Sequence, residues 1–343
     1  MEKIDIYVPN QIGETLVYDA QMFEIFKKDD RAINKNKFLN LLIKGYYVSY
    51  TKEVKDATEV IKSVINADKL SDEEIKQITD AIIDKTVLPQ VPSRKGKHPT
   101  KFSLKPKKDT ESIITLILEK IGSTDYISQY FCKMIMRYCE KPFYQRERII
   151  FKEKYEKLND ACIKKKSVSF KVNDIHTVMP YKVVPGREEA FNYLLCAEIN
   201  PKTGKQETMS YRINRILDES IIDGTTDYYI DDEVKRHLDL MVSYGPQFNI
   251  NDDEDTIVRL SEDGLDKFSK IYHLRPRPEN YPDKSEKVNG YYELRFKCSK
   301  NQIFAYFRKF RGDEAIIASP EWLRDDMLAF HKVTYEAYLQ QDG

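Results

Sequence analysis

Seven lysine or arginine side chains and no acid stand in residues 91–108, VPSRKGKHPTKFSLKPKK. Cations at this density neutralise phosphate, and the three prolines and one glycine keep the stretch from being helical. If Arg94, Lys95, Lys97 and Lys101 line a phosphate-binding loop, its affinity falls steeply with salt. A solvated linker reads the same way, so both readings stay open.

Other chemistry is poorly supplied. The five histidines, His98, His176, His237, His273 and His331, are scattered, with no HExxH and no pair at ligand spacing. Five cysteines without a CxxC form neither a disulfide framework nor a zinc finger. Cys132 and Cys139, seven apart on one helix, read as semi-buried thiols. Asn251–Asp255 is acidic, but it lacks the glycine and the terminal glutamate of a calcium loop. Nothing has nucleophile–base spacing, and the 12 glycines form no phosphate cradle. The expectation is a protein without catalytic residues, metal or cofactor.

The chain has 343 residues, enough for two or three domains, with 56 basic and 56 acidic side chains. That balance hides a segregation. Residues 1–170 hold 32 Lys/Arg against 25 Asp/Glu, a net of +7, so the remainder carries −7. One half can attract phosphate while the other does something else. No apolar run approaches the roughly 20 residues of a membrane helix, and MEKIDIYVPN has no signal-peptide core. A soluble, cytoplasmic protein without membrane contact is expected.

The elements that must position this chemistry follow from periodicity. Ile4, Ile6 and Val8 alternate with Lys3, Asp5 and Tyr7, which predicts a strand with one buried face, ended by Pro9. A helix over 11–28 follows, then one from Asn36 with Phe38, Leu41, Leu42, Gly45 and Tyr46 inward. Residues 101–140 repeat the pattern as an extended Lys101–Leu104, a helix near 110–121 and a helix near 124–139. The two units, 1–50 and 101–140, read as an intrachain pair within a region 1–141. Between them Ser71-Asp72-Glu73-Glu74 is a capping box that opens a helix to about Lys85. Pro142 opens a long charged helix, 142–166. Four extended stretches, 167–172, 176–184, 190–199 and 206–217, predict a compact antiparallel sheet or small barrel in a domain 167–245, with a helix near 231–243. Residues 256–343 alternate strands and helices as a small α/β sandwich, with a capping box at Ser299 and Gln302. The fold class is α+β, multidomain.

Within 167–217 stand Met179-Pro180-Tyr181, Asn192-Tyr193-Leu194 and Tyr211-Arg212-Ile213-Asn214-Arg215-Ile216. This pattern resembles the WYL-domain family, named for a Trp-Tyr-Leu tripeptide, with Asn192 in the place of tryptophan. Residues 256–341 look like the extension that follows WYL domains, and 1–50 resembles a ribbon-helix-helix unit. The resemblance implies a helical ribbon-helix-helix-like front, a small Sm-like β-barrel that senses a nucleic acid or nucleotide, and a C-terminal homodimerisation domain. The combination looks most like the accessory WYL proteins of type VI-D CRISPR systems, which bind single-stranded RNA and boost an RNA-targeting CRISPR effector ribonuclease in antiviral defence.

A barrel of that kind needs cations for phosphate and flat side chains for bases. Arg212 and Arg215 offer the forks, Tyr181 and Tyr193 the platforms, and Ser169 and His176 stand where they could line the same site. In a flat strand, positions three apart point to opposite faces, so both arginines reach one pocket only if the strand bulges or ends near Asn214. Each arginine could instead brace a neighbour through an ion pair, and Tyr193 could be a core tyrosine. In ribbon-helix-helix proteins the outward side chains, here Lys3, Asp5 and Tyr7, enter the major groove. Asp5 is a poor neighbour for phosphate, so the ribbon could also have lost DNA reading. The alternative function is therefore a ligand-responsive, DNA-binding transcriptional regulator, in which Lys3 and Tyr7 outweigh Arg212. A pure interaction module is the third.

Overall fold

The computed structural model describes residues 2–28, 32–65, 70–91, 99–121, 126–186, 191–217, 221–281 and 287–339. The chain divides into two compact units, Met1–Tyr155 and Glu156–Gly343. Mixed helices and small antiparallel sheets make it an α+β protein.

The first unit opens with β1 (Ile4–Val8), α1 (Asn10–Met22), α2 (Lys35–Val64) and α3 (Asp72–Ile82). It continues with β2 (Thr100–Leu104), α4 (Lys108–Ile121), α5 (Ile127–Cys139) and α6 (Phe143–Ile150). β1 pairs antiparallel with β2, Ile4 opposite Leu104 and Val8 opposite Thr100. Ile6, Val8, Phe102 and Leu104 are buried, which gives the ribbon the inner face its alternation predicts. Asparagines fasten the exit of β2 to α2: Asn36 Oδ1 accepts from Lys105 N at 2.7 Å and Asn40 Oδ1 from Lys107 N at 2.9 Å.

The Ser71–Glu74 capping box is formed, Ser71 N donating to Glu74 Oε2 at 2.8 Å. α1 stops at Met22, short of the expected 28, because Glu24 adopts a left-handed φ of 58°. Phe26 then bridges Ile33. The single helix expected over 142–166 is two, α6 and α7 (Lys152–Lys164), broken at Phe151 with φ −108° and ψ 33°.

Gly45 marks the tightest approach in this unit. A Cβ placed there would lie 1.9 Å from Ile149 O, backbone against backbone of α2 and α6. Gly45→Ala must push the two helices apart, with an expected loss of about 1–3 kcal/mol or more by chemical denaturation. An unchanged midpoint would show that the pair slides freely.

The second unit holds β3 (Lys166–Lys171), β4 (Ile175–Pro185), β5 (Asn192–Ile199), β6 (Gln206–Arg212) and β7 (Ile222–Asp227), in spatial order β6-β5-β4-β3-β7. All pairs are antiparallel. The expected small barrel is not closed: among the described residues β6 and β7 form no ladder. A side chain spans the gap instead, Gln206 Nε2 donating to Tyr229 O at 2.9 Å and its Oε1 accepting from Asp231 N at 3.0 Å. β7 was not anticipated, since IDGTTD carries neither alternation nor β-branched apolar residues beyond Ile222.

α8 (Asp232–Tyr244) covers one sheet face, packing Val234, Leu238 and Met241 on Val184, Leu195 and Ala197. β8 (Thr256–Leu260), α9 (Glu262–Lys270), β9 (Tyr292–Phe296), α10 (Lys300–Phe307), β10 (Ala315–Ser319) and α11 (Glu321–Leu339) complete the chain. Their sheet runs β10-β8-β9, around Phe268, Phe296, Tyr306 and Phe307. The expected capping box at Ser299 is not formed. Ser299 makes no side-chain cap, and the Gln302 amide donates to Leu274 O at 3.5 Å instead. Among the described residues, no helix is long and apolar enough to cross a membrane.

Candidate nucleic-acid interface

Arg212 ends β6, and its guanidinium lies flat over the buried ring of Phe191, 3.5 Å from the centroid. Its Nε also donates to Asn214 Oδ1 at 3.2 Å. The strand gives way here to a 3₁₀ turn, Ile213–Arg215. Strict alternation therefore ends at Arg212, itself still extended at φ −65° and ψ 126°, and the strand period no longer sets the direction of Arg215. Arg215, on that turn, is exposed. The objection that the two arginines must face apart is removed by the strand's end.

The tyrosines are placed differently. Tyr193 sits opposite Arg212 in the β5–β6 register but is only 3 % exposed, beneath Gly186. It packs as a core tyrosine rather than an open platform, because β5 is a central strand buried on both faces from Asn192 to Ala197. Tyr181 is half-buried against α8, its hydroxyl donating to Asp239 Oδ1 at 2.6 Å. Burial, then this bond, pushes its pKa up to about 12. A β-bulge between Pro180 and Lys182 aims it there.

Ser169 and His176 do not join the arginines. The Ser169 hydroxyl bonds Thr177 Oγ1 at 2.8 Å in β3 and β4, and three strand spacings separate β3 from β6, about 14 Å. His176 lies on the opposite face. There its Nδ1 meets Glu198 Oε1 at 3.1 Å and the Tyr211 hydroxyl at 2.9 Å, while that hydroxyl donates to Glu198 Oε2 at 2.6 Å. This polar triangle, with Phe170 edge-on to Tyr211, was missed from sequence. Its signals were a lone acid in the apolar run of β5 and Tyr211 alternating with Arg212. Phe191, the ring beneath Arg212, was missed as well.

The ribbon's outer face is occupied by its own charges. Asp5 accepts from Ser103 Oγ at 2.8 Å and pairs with Lys101 at 2.6 Å and Lys3 at 3.6 Å. The Lys101 hydrogen bond, then that of Ser103, lowers its pKa to about 2. Lys101 also lies over the Tyr7 ring at 5.9 Å. Thus Lys101 belongs to the ribbon, while Arg94, Lys95 and Lys97 lie outside the described residues.

Glu233, His237 and Asp253 bring metal-type ligand atoms within 4.8 Å of one another, a grouping that sequence reading did not find. Both oxygens of Asp253 take the Arg236 guanidinium, and His237 Nε2 stands 2.9 Å from Oδ1. A cation there would displace an arginine, so the group acts as an ion-pair network tying α8 to the acidic loop. Lys300 engages Asp252 in the same loop. The five cysteines are free thiols, and burial raises the pKa of Cys132 to about 11 and of Cys139 to about 12.

No family model matches the sequence, and no curated protein matches it either. Among solved structures, the chain is similar to one described as "Crystal structure of a CRISPR Cas-related protein", at TM-score 0.67 and 19 % identity. The match covers 99 % of this chain and 95 % of that one. It shows a shared fold along nearly the whole length. Proteasome accessory factor B/C (PafBC) of Arthrobacter aurescens aligns over 51 % of this chain and 26 % of its own, at 14 % identity and TM-score 0.20, too weak to carry an argument.

Proposed function

We propose that this protein is a non-catalytic, CRISPR-associated accessory protein of the WYL type. It holds single-stranded RNA and enhances an RNA-targeting type VI-D ribonuclease. The observation that carries the reading is Arg212, stacked face-on over buried Phe191 beside the turn that bears Arg215. A guanidinium held flat by a ring keeps its edge for phosphate and its outer face for a base. The fold shared with a CRISPR Cas-related protein supports the setting.

The test is fluorescence anisotropy with single-stranded RNA, single-stranded DNA and duplex DNA over a salt series. Preference for RNA that collapses in an Arg212→Ala/Arg215→Ala variant upholds the reading. Preference for duplex DNA, untouched by that variant, replaces it with the transcriptional regulator. The ribbon does not favour that alternative, since Asp5 already occupies Lys101 and Lys3.

The homodimer is proposed to form through α11. Of its 19 residues only Leu323 is buried, while Leu328 is 67 % and Tyr335 65 % exposed, one turn-pair apart on one face. Large apolar side chains left open on one helix suit a second copy of it. Leu328→Asp with Tyr335→Asp is expected to halve the mass seen by light scattering, leaving the helical signal intact. A wild-type monomer would end this part of the reading.

A further inference from the structure

Two buried amide oxygens in the second unit, Gln247 Oε1 and Gln302 Oε1, receive no hydrogen bond among the described residues. Gln302 is 3 % exposed. Its nitrogen donates to Leu274 O at 3.5 Å, which fixes the amide's orientation, since the reverse would set oxygen against a carbonyl. A buried acceptor without a donor is costly, and a native structure rarely keeps one without use.

The two oxygens converge. A Cβ at Gly245 would lie 3.3 Å from Gln247 Oε1 and 3.5 Å from Gln302 Oε1, so both reach one small volume. Both glutamines line a cleft of about 260 Å³, together with Tyr244, Arg275, Arg277 and Tyr281. Arg275 is committed to Phe268 O and Ser269 O and lies over Tyr272. Arg277 is exposed and is felt electrostatically by the Glu279 carboxylate and the Tyr244 hydroxyl, with its guanidinium in no salt bridge among the described residues. The nearby carboxylate of Glu279 takes the Tyr244 hydroxyl and stands 3.5 Å from Lys297.

The cleft thus offers two acceptors close together, a largely exposed aromatic ring at Tyr281 and a cation at Arg277. An exocyclic amine has two N–H donors on one nitrogen and suits the paired oxygens. We propose that this cleft binds one nucleotide whose base carries an exocyclic amine, its amine donating to Gln247 and Gln302 and its phosphate meeting Arg277. Uracil, with a single ring N–H and no amine, leaves one oxygen unpaired. The nucleotide is either free or part of a strand, and only the strand form rests on the RNA-binding reading.

The experiment titrates AMP, CMP and UMP into the full chain by calorimetry. Ten-nucleotide adenosine and uridine RNAs are compared by anisotropy. Gly245→Ala sets a methyl between the oxygens, at a φ of 166° that alanine adopts without strain. Arg277→Ala changes an exposed side chain and leaves the fold's packing alone. AMP and CMP are expected to bind at least about tenfold more tightly than UMP, and each variant to weaken AMP about tenfold. Binding of the adenosine oligomer without AMP, lost in both variants, assigns the cleft to a strand. Equal affinity for all three mononucleotides, a preference that survives both variants, or no base preference in either arm overturns the proposal. Oligomer binding that depends on Arg212 but ignores Gly245→Ala sinks the cleft and spares the RNA reading. AMP binding that needs Gly245, in a protein whose oligomer affinity ignores Arg212, does the reverse.

Discussion

Alanine at both Arg212 and Arg215 is expected to weaken single-stranded RNA binding about 100-fold or more, and to flatten its salt dependence. Each charge-assisted contact to phosphate contributes roughly 1.5–3 kcal/mol, so two together suffice for that loss. Arg212 is the stronger of the pair because its plane is already fixed. Phe191 beneath it is buried, and Asn214 Oδ1 holds Nε, so little side-chain freedom remains to be lost on binding. Arg212→Lys separates charge from geometry: the salt slope should persist while most of the affinity goes, since an ammonium neither forks nor stacks. Circular dichroism of each variant guards against misfolding. Wild-type affinity in the double alanine protein would remove the site from this end of the sheet.

Alternation told which residues of a strand share a face, and it served well where one face is solvated. The β1–β2 ribbon is of that kind, and Lys3, Asp5 and Tyr7 stand on the outer side of buried Ile6 and Val8. It fails for a central strand. β5 has β4 and β6 as neighbours and is covered on both faces, so Tyr193 had no open side to occupy. Arg212 was legible as a cation but not as a stacked one, because Phe191 reaches it from the other side of a turn. Nor could Lys101 be assigned from a count of basic residues. Pairing across the ribbon gives it Asp5, 96 positions earlier, and takes it from the phosphate loop. Polar partners distant in sequence were the least legible of all, as Glu198 with His176 and Gln302 with Leu274 show.

The first unit depends on one such distant pair. Asp19, at 0 % exposure in α1, receives Arg146 of α6 at both oxygens, 2.7 and 2.9 Å, and the Tyr138 hydroxyl of α5 at 2.8 Å. Three helices are thereby fixed at one carboxylate. Asp19→Asn keeps the shape and deletes the charge, leaving a largely buried guanidinium uncompensated, an expected loss of about 3–5 kcal/mol. An exposed pair such as Lys270 with Asp266 contributes at most about 1 kcal/mol. The expected result is a lower urea midpoint by circular dichroism. Emission from Trp322, the single tryptophan, reports on the second unit and should move less. Asp19→Leu with Arg146→Met removes both charges and should cost less than either single change. Asp19→Asn at the wild-type midpoint, or a double variant as weak as the sum of the singles, would show that packing rather than charge pairing holds these helices.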